Sequence, residues 1–382
     1  MDKPAPARID LAHIRHYHFA RHGVLHGHKA LSVREAAERS VGIHAARLKS
    51  PYTALHARCD SFANQHLHEA LFVNRSVIKL RCMRRTLHIV PLHLAPVVHV
   101  ATRNQRLTPC RTAIERLGLT KRQLVRTRVE ILEQAAHEPI TKKVTEKLKR
   151  DLFGSRSDQA WATEVLRWTI KSLWEEGSLS YYNQTSEWGR EDRAFTLTAR
   201  AYPGLKLDEI GQIEAERELL WHHIRQYGPV SVNDMTWWSG LSVGRIVRAV
   251  HSMGDLVRKV AVDGLPEDLY MATPDLEQLS SYRLPDSDWV ALLAYEDSAL
   301  KGYNQTRSRY VDGKHYDRLF NSIGEVRASI VLNGLAVGVW SYSRDRTAVE
   351  WTLFESIPKR LKQLIEREIR AYEIRRLCVG SN

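Results

Sequence analysis

The chain has 382 residues, with 57 basic against 44 acidic side chains, a formal charge of +13 and 18 histidines counted as neutral. That length exceeds a single simple core, and a hydrophobic content of 43% is ordinary for a globular protein and excludes a long disordered or fibrous chain. The basic excess favours an anionic partner, nucleic acid ahead of an anionic membrane, and says nothing about fold.

In chain order, residues 1–8 read as a frayed Pro/Ala tail. Residues 9–22 carry Leu11, Ile14 and Phe19 between basic and histidine positions, a helix stopped by Gly23. Residues 32–39 follow as a second helix, with Ser32 and Glu35 spaced as a capping box. Pro51 opens a third helix over residues 52–66. Residues 77–91 then alternate. Ile78, Leu80 and Cys82 fall on one face and Lys79, Arg81 and Met83 on the other, and Leu87 and Ile89 alternate with Thr86 and His88 on the return. That period of two predicts a half-buried hairpin, with Arg81, Arg84 and Arg85 at its tip. A short helix after Pro91 and a loop over 104–111 close this first unit.

The order recurs. Residues 120–136, 141–152 and 158–176 are predicted helices, the last rich in tryptophan and stopped by Gly177. Strands over 179–182 and 193–197 make a second hairpin whose tip contains Trp188, Gly189 and Arg190. A third set follows: helices over 213–227, 231–239 and 242–252, the second capped by Ser231 and Asp234, with Gly240 at the turn, and then a hairpin over 256–272. After Pro285 come strands over 289–295, 328–332, 335–343 and 348–354, with Asn333-Gly334 as a two-residue turn, and a charged helix over 358–376. Helix, helix, helix and two-stranded wing is the order of a winged helix-turn-helix. The expected fold is therefore α+β and mainly α. It has winged-helix units over 8–110, 119–205 and 211–285 and a β-rich C-terminal domain with a closing helix over 286–378.

Four cysteines (Cys59, Cys82, Cys110, Cys378) are scattered without a CxxC pair, so neither a disulfide framework nor a zinc knuckle is expected. The N-terminus lacks the apolar core of a signal peptide and no segment reaches the length of a membrane span, which points to the cytoplasm. His18 and His22 have the spacing that puts two imidazoles on one helix face. No cysteine or acidic partner at zinc-site spacing follows, so no metal and no cofactor is expected.

Four stretches resemble one family, the winged-helix DNA-binding proteins that include the AlkZ-like bacterial DNA glycosylases. They are 41–58 (VGIHAARLKSPYTALHAR), 83–91 (MRRTLHIVP), 227–241 (YGPVSVNDMTWWSGL), and 289–303 with 332–340 (WVALLAYEDSALKGY and LNGLAVGVW). Their order and spacing cover nearly the whole chain. The resemblance implies tandem winged helices arranged in a C around duplex DNA, acting as a monomer. It also implies removal of alkylated or bulky-adducted purines, in some members as self-resistance to a DNA-alkylating natural product. A Gln-x-Gln motif, or a variant with His first or an acidic residue second, would position water near the anomeric carbon.

An N7-alkylated purine already carries positive charge and leaves readily, so such an enzyme must mainly place a water and stabilise an oxocarbenium-like transition state. The matching triplet here is His44-Ala45-Ala46. A neutral His44 can orient water or accept its proton, whereas Ala46 has no side chain with which to share the task. His44 can equally be a loop histidine bonded locally. Lys79, Arg81, Arg84 and Arg85 would meet phosphates or enter a groove, with Thr86 and His88 in the family-like Thr-Leu-His run. The other reading of the hairpin is an edge whose charges discourage strand pairing. Arg245 and Arg248 lie on the third unit's recognition helix or on a solvated face, and Trp237 and Trp238 are expected in the core. The leading expectation is a monofunctional glycosylase acting on damaged duplex DNA. A non-catalytic DNA-binding protein, regulator or lesion shield, is favoured by Ala46, and binding of RNA or another polyanion is the third reading.

Overall fold

In the computed structural model, residues 8–154, 158–185, 190–343 and 348–377 are described. They form a mixed α+β fold, mainly helical, with four small sheets of three, four, three and two strands. The tail over 1–7 and the hairpin-tip residues Trp188 and Gly189 lie outside the described residues.

Local chemistry explains why most elements begin where they do. Asp10, Thr120, Thr141, Asp158 and Ser231 each accept a backbone N–H at the start of a helix, as short polar caps do. Gly240 ends the helix Val232–Ser239 in the left-handed conformation, at φ 73°. Asn333 and Gly334, at φ 49° and 84°, make the tight turn between the strands Ser329–Leu332 and Leu335–Tyr342.

Four readings change. The third helix is two, Ser50–Arg58 and Asn64–His68, because Cys59 turns extended and Phe62 drops into the core. The loop expected over 104–111 belongs to one helix, Ala95–Arg116, with Pro109 inside it. Packing overrides the proline there: Arg106, Leu107 and Cys110 are buried, and Arg106 meets Glu175 at 2.8 Å. The first hairpin, Val77–Arg81 with Leu87–Pro91, is covered on both faces rather than one. It also carries a third strand, Ile43–His44, paired to the second, so that His44 lies opposite His88.

Two large hydrophobic clusters cross the predicted unit boundaries. One runs from Phe19 and Ile78 through Leu219 and Trp238 to Leu300 and Tyr310. The other joins Ile43 and Leu55 to Leu166, Leu173 and Ala294. The C-terminal sheet Val349–Leu353, Leu335–Tyr342, Ser329–Leu332, Val290–Leu293 packs its own cluster under the helix Lys359–Leu377.

Candidate active site

The family-like stretches are distant in sequence and are held together by buried polar contacts. Arg58, fully buried, grips the carboxylate of Asp297 through both terminal nitrogens at 2.9 and 2.6 Å. Asp297 also caps the short helix Ser298–Lys301. Asp234 accepts the backbone N–H groups of Asn304 and Gln305 at 2.7 and 2.8 Å and the Thr306 hydroxyl at 2.8 Å. The Tyr227 hydroxyl donates to Ser40 O at 2.8 Å, and the Tyr303 hydroxyl donates to Tyr227 O at 2.7 Å. Gly302 lets these rings close: a Cβ there would lie 2.1 Å from the Tyr227 ring. Desolvated, paired charges of this kind fix geometry strongly, because removing one partner leaves the other buried and unpaired.

This frame encloses a cavity of about 10 Å³, room for roughly one water. His44, Arg84, Thr86, His88, Trp238 and Lys301 line it. Backbone strain gathers around it. Val41, Arg84, Arg85 and Glu296 are four of the seven non-glycine residues with positive φ among the described residues. Such conformations are costly for side chains of this size and persist where the surroundings hold them.

Strand alternation sorts the hairpin's charges. Leu80, His88 and His44 are in register across the sheet, while Lys79 pairs across from Ile89, one step out of phase. Lys79 and Arg81 thus leave on the opposite face from the two histidines. Lys79 reaches Glu191 at 3.3 Å and stands 4.1 Å from the Tyr181 ring centre, and Arg81 meets Glu175 at 2.8 Å. Both fasten the hairpin to the second helical group. The tip is different. Arg84 lies 3.7 Å over Trp237, which has Arg307 near its ring at 5.0 Å, while Arg85 is exposed and Thr86 is half-buried. Arg245 contacts Glu216, and the exposed Arg248 lies 3.9 Å from the same carboxylate. Trp238 is core, stacked on His223 at 4.2 Å; Trp237 is only half-buried and cation-flanked.

His44 sits on a strand, not a loop, and is 4% exposed. Its Nε2 lies 3.3 Å from Lys301 Nζ, and its Nδ1 is buried with no partner among the described residues. Burial first, then the Lys301 charge, holds the imidazole neutral, well below the ordinary histidine range. His88 is likewise pushed down to about 3 by burial, then Lys301, and its Nδ1–H donates to Thr86 O at 3.2 Å. Lys301 contacts the Glu296 carboxylate, whose other oxygen accepts the Val326 N–H at 2.8 Å. Burial, then Arg84, lowers the Lys301 ammonium to about 7. Burial, then Arg307, lowers Arg84 to about 10. A neutral imidazole and an amine on one small cavity, with a carboxylate behind the amine, can orient a water and take up its proton.

Glu296 and Lys301 were absent from the expected site. Their signal was two ionisable residues five apart in a run that is otherwise largely apolar, VALLAYEDSALKGY, which folding then buries. Ala46 is exposed, two residues past the strand Ile43–His44. Beyond it, Arg47, Lys49, Tyr295, Arg327, Tyr342 and Trp351 line a separate cleft of about 680 Å³. His18 and His22 are buried and bonded to backbone oxygens of Ala299 and Gln226, and no group of three metal-ligating side chains occurs among the described residues. No helix of the described residues is long and apolar enough to cross a membrane.

The fold is that of a DNA glycosylase of known structure: the Streptomyces sahachiroi DNA glycosylase AlkZ superposes with a TM-score of 0.76 at 20% identity, covering 98% of each chain. The family model for DNA glycosylase AlkZ-like proteins matches residues 37–373, and the chain belongs to that family of DNA glycosylases. DNA is accordingly its partner and hydrolysis its reaction class. No curated protein sequence matches the chain.

Proposed function

We propose that the protein is a monofunctional glycosylase that hydrolyses the N-glycosidic bond of alkylated or bulky-adducted purines in damaged duplex DNA, with His44 positioning the water. The observation that carries this reading is His44 itself, neutral and buried at a cavity of one-water size beside the strained, arginine-bearing hairpin tip. Water adds at C1′ as the C1′–N9 bond breaks. A cationic N7-alkylpurine takes the bonding pair and departs neutral, and the water proton passes to the imidazole.

The three helix-and-hairpin groups, over 8–110, 119–205 and 211–285, are the winged-helix units in this reading. With the C-terminal domain over 286–378 they form a C that clasps the duplex as a cytoplasmic monomer. Arg84 and Arg85 meet the DNA at the hairpin tip, with Thr86 and His88 behind them, and Arg245 and Arg248 reach phosphates. Lys79 and Arg81, engaged by Glu191 and Glu175, act by holding the hairpin in place. The adjoining cleft, with its aromatic walls and cationic rim, suits the non-purine part of a bulky adduct and so supports a self-resistance role. Incubation with a panel of duplexes carrying N7-methyl, bulky and crosslinked guanines tests this. Free base and abasic sites are expected, and bound but intact DNA across the whole panel contradicts it.

A further inference from the structure

The triplet His44-Ala45-Ala46 has one polar side chain where the water-positioning task calls for two. We propose that Lys301, anchored by Glu296, supplies the missing function. It acts as a positioning residue that fixes the His44 ring and selects the tautomer whose Nδ1 accepts a proton from water. The inference rests on the glycosylase reading above and deepens it.

The geometry is a chain of three groups. Glu296 is fixed at both carboxylate oxygens, by Val326 N–H and by Lys301 Nζ, on a backbone held at φ 58°. Lys301 is the last residue of the helix capped by Asp297, so the Arg58–Asp297 pair sets its position. From there Nζ reaches His44 Nε2 at 3.3 Å. A neutral imidazole has a single N–H. When Lys301 is an ammonium, it donates to Nε2, the ring proton sits on Nδ1, and no ring nitrogen is left to accept from water. When Lys301 is an amine, Nε2–H donates to Nζ, Nζ donates to Glu296, and the Nδ1 lone pair is open. That Nδ1 is the buried ring atom without a partner among the described residues. Active enzyme is then the form with Lys301 unprotonated. As the proton arrives at Nδ1, the imidazolium formed is stabilised through Nζ by the Glu296 carboxylate.

The charges that bear on Lys301 come from several elements. Arg84 of the hairpin tip and Arg307 disfavour its ammonium, Glu325 and the touching Glu296 favour it, and His44 and His88 face it uncharged. Burial and the two arginines thus hold the ammonium less firmly than on an exposed lysine, which brings its loss of a proton towards neutral pH.

The test is single-turnover base release from an N7-methylguanine duplex, with duplex affinity and thermal melting measured alongside. Wild-type excision is expected to rise with pH through about 7. Lys301→Met should cut the rate constant by about 10²-fold with affinity unchanged. Lys301→Gln, whose amide oxygen can still accept Nε2–H but cannot titrate, should keep most of the rate and lose the pH dependence. Adding Ala46→Gln to Lys301→Met should recover part of the loss. A Lys301→Met protein that is folded, binds DNA and excises with the wild-type rate and pH profile overturns the proposal. If wild type itself releases no base, the glycosylase reading fails for this substrate, and 15N spectra of histidine-labelled protein still decide the Lys301 claim. His44 should be an Nε2–H tautomer above about pH 7 in wild type, and a tautomer indifferent to Lys301→Met contradicts it.

Discussion

Two spaces flank the segment that runs from His44 to Thr53, and they differ in almost every respect. The larger, about 680 Å³, has aromatic walls, a rim of Arg47, Lys49 and Arg327, and no histidine in its lining. The smaller, about 10 Å³, holds His44, His88 and Lys301. Size and chemistry are separated here: aromatic and cationic side chains line the wide space, and neutral imidazoles and a lowered amine line the narrow one. The reason is dielectric. An imidazole and an amine are tuned towards neutrality only where burial penalises their charge, and a wide, open cleft cannot do that.

The comparison can be broken at the ion pair that joins the helix lining the larger space with Ser50 and Thr53 to the helix lining the smaller with Ser298 and Lys301. Asp297→Ala leaves the fully buried Arg58 without its carboxylate and should cost about 3–5 kcal/mol. Chemical denaturation is the measurement, and a loss below about 1 kcal/mol would mean the pair does not hold the two spaces together. Sharpening it needs substrate selectivity. Trp351→Ala should lower excision of a bulky guanine adduct by roughly 10-fold while leaving N7-methylguanine excision unchanged. Equal losses on both substrates would remove the cleft from adduct recognition.

Acid acts on the buried histidines, of which His88 lines the smaller space. His18, His88, His99 and His223 are lowered to about 3 from 6.5, burial being the first cause for each. In the unfolded chain they bind protons below about 6.5, and in the folded chain only near 3, so over that window the unfolded state holds more protons. Stability is present above the unfolded value and is lost as pH falls through this window. A melting series should show a steady decline below about pH 6.5, and His88→Gln should soften it. A melting temperature indifferent to acid would speak against neutral burial. The smallest effect is electrostatic. Arg85→Ala should weaken duplex binding a few-fold and reduce the salt slope by about one, with Lys79→Met leaving that slope alone.

Much of the fold was legible because its signals are local. Capping residues at Ser32, Thr120, Thr141 and Ser231, the Asn333-Gly334 turn and the alternation of residues 77–91 each act within a few positions. What local pattern could not reveal is where long-range packing wins. Pro109 reads as a break, yet a helix whose Arg106 reaches Glu175, 69 positions away, absorbs it. The hairpin's basic residues read as one set facing DNA, yet the partners that divide them, Glu191 for Lys79, Glu175 for Arg81 and Trp237 for Arg84, come from two other helical groups. Within the candidate site, His44 was singled out through its motif-like surroundings. Lys301 was hidden, because nothing within ten residues of it announces that position 44, 257 away, will supply its neighbour.

The most direct measurement of the central claim compares His44→Ala with wild type for base release and for duplex binding, on whichever adduct wild type excises best. The expected result is excision reduced by about 10²-fold or more at unchanged affinity. Release at the same rate by both proteins would take His44, and with it the one-water cavity, out of the reaction.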